Sequence, residues 1–182
     1  MTYNDYLSAE QVEQLLKPIN PARVSKDGKG FSHVEAYDIR AHLNRIFGFA
    51  KWSSILTELH PIFETEKEGR FTVAYRATVQ IQVFSPSGEA LGTYTEAAVG
   101  DAKNQPSRAD AHDMAIKTAE SQAFKRAAIN LGDQFGLGLY NGGSTASTVK
   151  DTLVKPVLTT SPEFGPNVKK LKPVPPLENN EN

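Results

Sequence analysis

Residues 107–140 read SRADAHDMAIKTAESQAFKRAAINLGDQFGLGLY. The segment reads as one long helix, to about Leu131, with a glycine-rich exit at Gly132, Gly136 and Gly138. Ser107-Arg108-Ala109-Asp110 forms a capping-box pattern at its start. Ala109, Ala111, Met114, Ala115, Ala119, Ala123, Phe124, Ala127, Ala128 and Leu131 make a broad apolar face of mostly small side chains. Small side chains let another backbone come close, and serve helix-on-sheet packing and subunit interfaces equally well. Lys125 and Arg126 lie side by side near the end of the helix. A packed helix with adjacent cations, and no nucleophile constellation, points to polyanion binding rather than bond chemistry.

Upstream, the period changes from helical to alternating. Val79, Ile81 and Val83 alternate with Gln80 and Gln82 inside FTVAYRATVQIQVFS (71–85), as in a half-buried strand. The SPSGE turn at 85–89 leads to a second strand over 90–99. A strand over 52–63 precedes them, joined through a Lys-Glu-Gly turn at 67–69. The expectation is an α+β fold, a three-stranded antiparallel meander packed against helices, with 100–106 a polar loop containing Lys103. Strand order beyond adjacent hairpins is not readable.

Residues 1–20 hold a short helix opened by Ser8-Ala9-Glu10-Gln11 and closed by Pro18 and Pro21. Gly28 and Gly30 mark a turn surrounded by Arg23, Lys26 and Lys29. Three cations on a loop suit phosphate contact, although a solvated turn is the commoner meaning of such a loop. A further helix spans 34–47 and stops at Gly48, with His42 read as a packed core histidine. Residues 142–182, rich in Gly, Ser, Thr, Pro and Asn, read as a disordered Pro-rich tail. The tail includes a basic VKKLKPVPP patch at 168–176, a partner-docking segment or simply a linker.

Composition narrows the function. The formal net charge is −1, and residues 1–141 carry 15 Lys+Arg against 17 Asp+Glu. A polyanion site must therefore be a local groove rather than a global field. The absence of cysteine excludes disulfides and thiolate metal sites and fits a reducing compartment. Neither a signal peptide nor a membrane-length apolar run is visible in the sequence. His33, His42, His60 and His112 show no metal-ligand spacing, so no metal site is expected. Gly136-Leu137-Gly138 lacks the rest of a dinucleotide fingerprint, and no P-loop is present. The expectation is a protein that is not an enzyme, has no cofactor, and binds through Arg23, Lys125 and Arg126. Phe31, Tyr37 and Tyr94 are the aromatics available to stack bases.

Three blocks together resemble the Rad52 family of single-strand annealing proteins, which includes phage recombinases. The first is PARVSKDGKGFSHVEAYDIRAHLNRIFGFAKWSS (21–54), with Ile46-Phe47-Gly48-Phe49 and Trp52. The second is the meander ending in Gly92, Glu96 and Val99-Gly100. The third is AIKTAESQAFKRAAINLGDQFGLGLY (115–140). The resemblance covers about 21–141, which it marks as a DNA-binding, annealing and oligomerisation domain. It implies an ATP-independent homo-oligomer, a ring or arc, that lays single-stranded DNA in a basic groove with bases outward and anneals complementary strands.

By that resemblance Arg23, Lys125 and Arg126 are groove cations, and His33 stands where eukaryotic members have tyrosine. Ile129 replaces a further eukaryotic arginine, so the groove is less basic or uses other cations. Lys103 and Arg108 fall where the family has an outer DNA patch. The resemblance also implies single-strand DNA-binding protein or exonuclease partners, and a phage or bacterial source with a cytoplasmic location. The rival expectation is a non-catalytic structural or protein-interaction module with no DNA role.

Overall fold

Alternation in the second long strand dictates a sheet with one dry face. In the computed structural model, which describes residues 6–153, that strand places Val73, Ala77, Val79, Ile81 and Val83 inside. Gln80 and Gln82, on the other face, donate to Thr95 and Thr93 of the next strand. The chain order is helix α1 (Ala9–Leu16), a 3-10 turn (Pro21–Arg23), strands β1 (Val24–Lys26) and β2 (Ser32–Val34), and helix α2 (Ala36–Ile46). Strands β3 (Trp52–Lys67), β4 (Arg70–Phe84) and β5 (Ala90–Gln105), helix α3 (Arg108–Ile129) and 3-10 turns Asp133–Phe135 and Leu137–Tyr140 follow. β1 and β2 form an antiparallel hairpin, and β3-β4-β5 form the expected antiparallel meander. The fold is thus α+β, a three-stranded sheet against helices.

The β3–β4 connection is a two-residue turn with Glu68 at φ 55 and Gly69 at φ 72. Positive φ at both positions is the geometry whose twist suits a tight hairpin. The second hairpin closes through Gly88 N–H to the Ser85 carbonyl (3.0 Å), with Gly88 at φ 96. The N-terminal helix carries its capping box in full: Gln11 N–H reaches Ser8 Oγ at 3.2 Å, and Ser8 N–H reaches Gln11 Oε1 at 2.8 Å.

The 100–106 segment is not a loop. β5 runs on to Gln105, pairing Asp101 with Ala74 and Ala102 with Val73, so Lys103 stands on a strand. The reason lies in α3. Its buried residues Ala111, Ala115, Ala119, Ala123 and Ala127 recur every four positions, a stripe along one side of a helix. That stripe lies close to the backbone of β5. A Cβ placed on Gly100 would sit 2.1 Å from Ala119 N and 2.6 Å from Ala115 O, so only glycine permits the approach. Small side chains on both elements replace the Val/Ile alternation that usually signals a strand, which hides this one in the sequence. Ala109 and Met114 lie outside the stripe and are exposed.

Beyond the alanines, α3 contributes the fully buried Phe124, packed beside the Trp52 ring (centroids 6.5 Å apart) with the Arg40 guanidinium 4.2 Å over its face. Trp52 Nε1 donates to Asn44 Oδ1 at 2.7 Å, tying β3 to α2. Ile39, Leu43 and Phe135 complete the core around this point. The C-terminal boundary also shifts. Backbone N–H groups of Thr148 and Val149 donate to the buried Asp133 Oδ2 at 2.7 and 2.9 Å, and Ser147 Oγ donates to the Leu16 carbonyl. Residues 142–149, read as the start of a disordered tail, are therefore anchored on the domain. The basic patch at 168–176 lies outside the described residues.

Candidate nucleic-acid interface

The glycine turn of the β1–β2 hairpin is held by Asp27, whose Oδ1 accepts from Lys29 N–H (2.8 Å) and Phe31 N–H (2.9 Å). These backbone hydrogen bonds, that of Phe31 foremost, keep the Asp27 carboxyl below its ordinary range. The hairpin so fixed faces the C-terminal end of α3 and the turns beyond it. Between them opens a cleft of about 590 Å³, lined by Lys26, His33, Gln122, Lys125, Ile129 and Tyr140 among others. Gly136 forms part of the lining in the left-handed region (φ 97), where a Cβ would press within 3.3 Å of Val34. Two lysines and a histidine thus reach one concavity, and no aspartate or glutamate of the described residues lines it. His33 Nε2 lies 3.0 Å from Glu35 Oε1 just outside.

The predicted cations do not all arrive there. Lys125 does. Arg126, one residue on and turned about 100° around the helix, instead pairs with Glu96 of β5 at 3.3 Å. Arg23 does not line the cleft. Its Nε donates to Asp38 Oδ2 at 2.8 Å, Nη2 lies 2.7 Å from the same oxygen, and Nη1 donates to Gln134 Oε1 at 3.2 Å. With its side chain only 12% exposed, Arg23 is a clamp between the first 3-10 turn, α2 and the C-terminal turn. Gln134 extends the clamp by donating to the carbonyls of Lys17 and Pro18, each at 2.8 Å. Burial, reinforced by the Arg23 charge, pushes the neighbouring His42 down to about 4, and its ring meets Phe135 edge-on at 5.5 Å. His42 is accordingly a neutral, packed histidine.

Lys103 and Arg108 gather near the other end of α3, where each meets a carboxylate. Lys103 Nζ lies 3.1 Å from Asp101. Arg108 Nε lies 2.7 Å from Glu64, which His112 Nε2 also approaches at 3.2 Å. The Arg108 hydrogen bond holds the Glu64 carboxyl below its usual range, and the same contact raises Arg108. The far nitrogen of His112 meets the Tyr75 hydroxyl at 2.9 Å.

Two residues that line the cleft, Lys26 and Tyr140, carry no distinguishing signal in the sequence. In the sequence Lys26 is visible only as one of three cations around a glycine turn. Tyr140 looked like the end of a glycine turn. Ile129, flagged as a missing arginine, does line the cleft, and Lys26 supplies a cation to the same concavity.

Residues 7–157 match the model of the Rad52/22 family double-strand break repair protein. Among curated relatives, the DNA repair and recombination protein RAD52 of Eremothecium gossypii is 30% identical over 133 residues, covering 70% of this chain and 29% of that protein. RAD52 of Saccharomyces cerevisiae is 29% identical over 133 residues, 70% of this chain and 27% of its own length. The DNA repair and recombination protein rti1 of Schizosaccharomyces pombe is 26% identical over 144 residues, 76% and 38% of the two chains. The chain spans less than two fifths of each of these relatives, and all three are fungal rather than phage or bacterial. No helix among the described residues is long and apolar enough to cross a membrane. A match over most of the chain, on the α+β fold and with the cleft built from its first and third sequence blocks, places the protein in the Rad52/22 family.

Proposed function

We propose that this chain binds single-stranded DNA in the Lys26–Lys125 cleft and anneals complementary strands without ATP, in recombination and repair. The observation that carries this reading is a cleft with two lysines and His33 and no lining carboxylate among the described residues, in a chain whose net charge is −1. Against that acidic background, such a concavity selects a polyanion locally. Lysine contacts neutralise phosphate repulsion between two strands, which is the main barrier to pairing them, and no bond is made or broken in the protein. The printed names of the fungal relatives, DNA repair and recombination proteins, support the same assignment.

The reading includes assembly into a ring or arc, because one cleft holds too few cations for tight binding and repetition multiplies them. β3 supports this part. Among the described residues it pairs only with β4, and Ile55, Leu56, Ile62 and Phe63 along it are each 43–51% exposed. A strand edge of this kind invites another chain.

The test is a salt-titrated gel shift with an unstructured oligonucleotide, paired with annealing of complementary oligonucleotides in ATP-free buffer. A shift that weakens steeply with salt, together with annealing, is expected; no shift at low salt overturns the reading. Electron microscopy of the same sample shows whether rings or arcs form. Assemblies without any DNA shift would instead favour a protein-interaction module built on β3.

A further inference from the structure

We infer that Phe31 and Tyr140 form a base-stacking platform beside the cleft lysines, so that the strand is held by its bases as well as by its phosphates. This rests on the single-strand reading above. Three aromatics were available from the sequence, and the structure separates them. Tyr94 is half-buried on β5, lying over Gly92, where an added Cβ would meet its hydroxyl at 2.9 Å. Tyr37 is 76% exposed but does not line the cleft. Phe31 does, and Tyr140 joins it from a different element, each ring 68% exposed.

Large aromatic rings left in water beside two lysines lose apolar stabilisation unless a ligand covers them. The backbones that carry them are fixed. Phe31 N–H donates to Asp27 Oδ1 at 2.9 Å, and the Phe31 carbonyl accepts from Asp27 N–H at 3.0 Å. Beside Tyr140, Asn141 N–H closes onto the Gly138 carbonyl at 2.9 Å. Phe31 has no polar atom with which to meet a phosphate, so its use in the cleft is a flat apolar face. Every base offers a matching face, which makes the grip tolerant of sequence.

The experiment compares binding of oligo-dT with binding of an abasic oligomer of equal length, using the full chain. One stacked base is worth roughly five- to a hundredfold in affinity, so wild-type protein is expected to prefer oligo-dT by about tenfold or more. Phe31→Ala with Tyr140→Ala is expected to abolish that preference and to leave the salt slope unchanged, because neither side chain carries a charge. Both rings are largely exposed, and an unchanged melting temperature checks that the variant folds. Tyr140→Trp is expected to keep the preference and to show fluorescence quenched by oligo-dT but not by the abasic oligomer. A double alanine variant that retains the base preference, or Tyr140→Trp emission that responds equally to both oligomers, overturns the platform and leaves phosphate binding standing. Failure of wild-type protein to bind either oligomer sinks the single-strand reading and the platform with it.

Discussion

The two ends of α3 carry similar charges and put them to different uses. At the N-terminal end Arg108 and His112 converge on Glu64, and nearby Lys103 meets Asp101. At the C-terminal end Lys125 enters a cleft with Lys26 where no described carboxylate is part of the lining. Even adjacent residues divide this way, since Arg126 turns to Glu96 while Lys125 does not. A cation in a sequence is therefore only a candidate. What makes it available to a phosphate is the residue opposite, which for Arg108 and Arg126 is supplied by a strand far away in the chain. A cation held by a carboxylate must break that pair before it meets DNA, and a cation in an acid-free concavity need not.

The sharpest way to break this comparison is charge reversal at each end. Lys26→Glu with Lys125→Glu is expected to lower single-strand affinity about a hundredfold at low salt, and to flatten the log–log salt slope by about 1.4, two phosphates at about 0.7 each. Lys103→Glu with Arg108→Glu is expected to change affinity by less than about threefold. Fluorescence anisotropy across a salt series measures both; equal losses would erase the distinction.

Arg23→Ala comes next. It leaves the mostly buried Asp38 carboxylate and Gln134 without their partner, and is expected to cost about 2 kcal/mol of stability in urea unfolding. If Arg23 were instead a phosphate contact, the DNA salt slope would flatten as well. A smaller gain is expected from Glu64→Gln, which frees Arg108 at the neutralised end and should raise affinity about two- to threefold. No gain would mean that position, not pairing, keeps Arg108 from DNA.

The last effect concerns pH. His42 sits at about 4 in the fold against an ordinary 6.5, so between these values the unfolded chain binds the proton first. Stability from this group is full above about pH 6.5 and falls as pH drops toward 4. A urea midpoint that declines over that window, and declines less in His42→Gln, is the expected outcome.

Much of the fold was legible because it follows from local period. Val79, Ile81 and Val83 announced β4, Ser8 and Ser107 announced their helices, and the glycine at 69 announced a hairpin. β5 was cut short because its inner face beyond Val99 uses Gly100 and Ala102, which do not look like a strand until the alanine stripe of α3 is laid on them. Of the candidate DNA contacts named from the sequence, Lys125 and His33 line the cleft. Arg23 was chosen for its place before a glycine turn, but its charge is taken by Asp38, fifteen residues on. Arg126, Lys103 and Arg108 likewise meet carboxylates on strands. Lys26 and Tyr140 were passed over because the concavity they share exists only once the β1–β2 hairpin faces the last turns.

The sequence alone determined the repeating elements: the alternation of β4, the four-residue alanine stripe of α3, and the turns that need positive φ. These are set by contacts between near neighbours and by the geometry of single residues, so they can be read along the chain. Tertiary structure alone decided how close α3 comes to β5 at Gly100 and which cations keep an acidic partner. Both depend on distances of a few ångströms, mostly between residues fifteen or more positions apart, and neither periodicity nor composition carries that information.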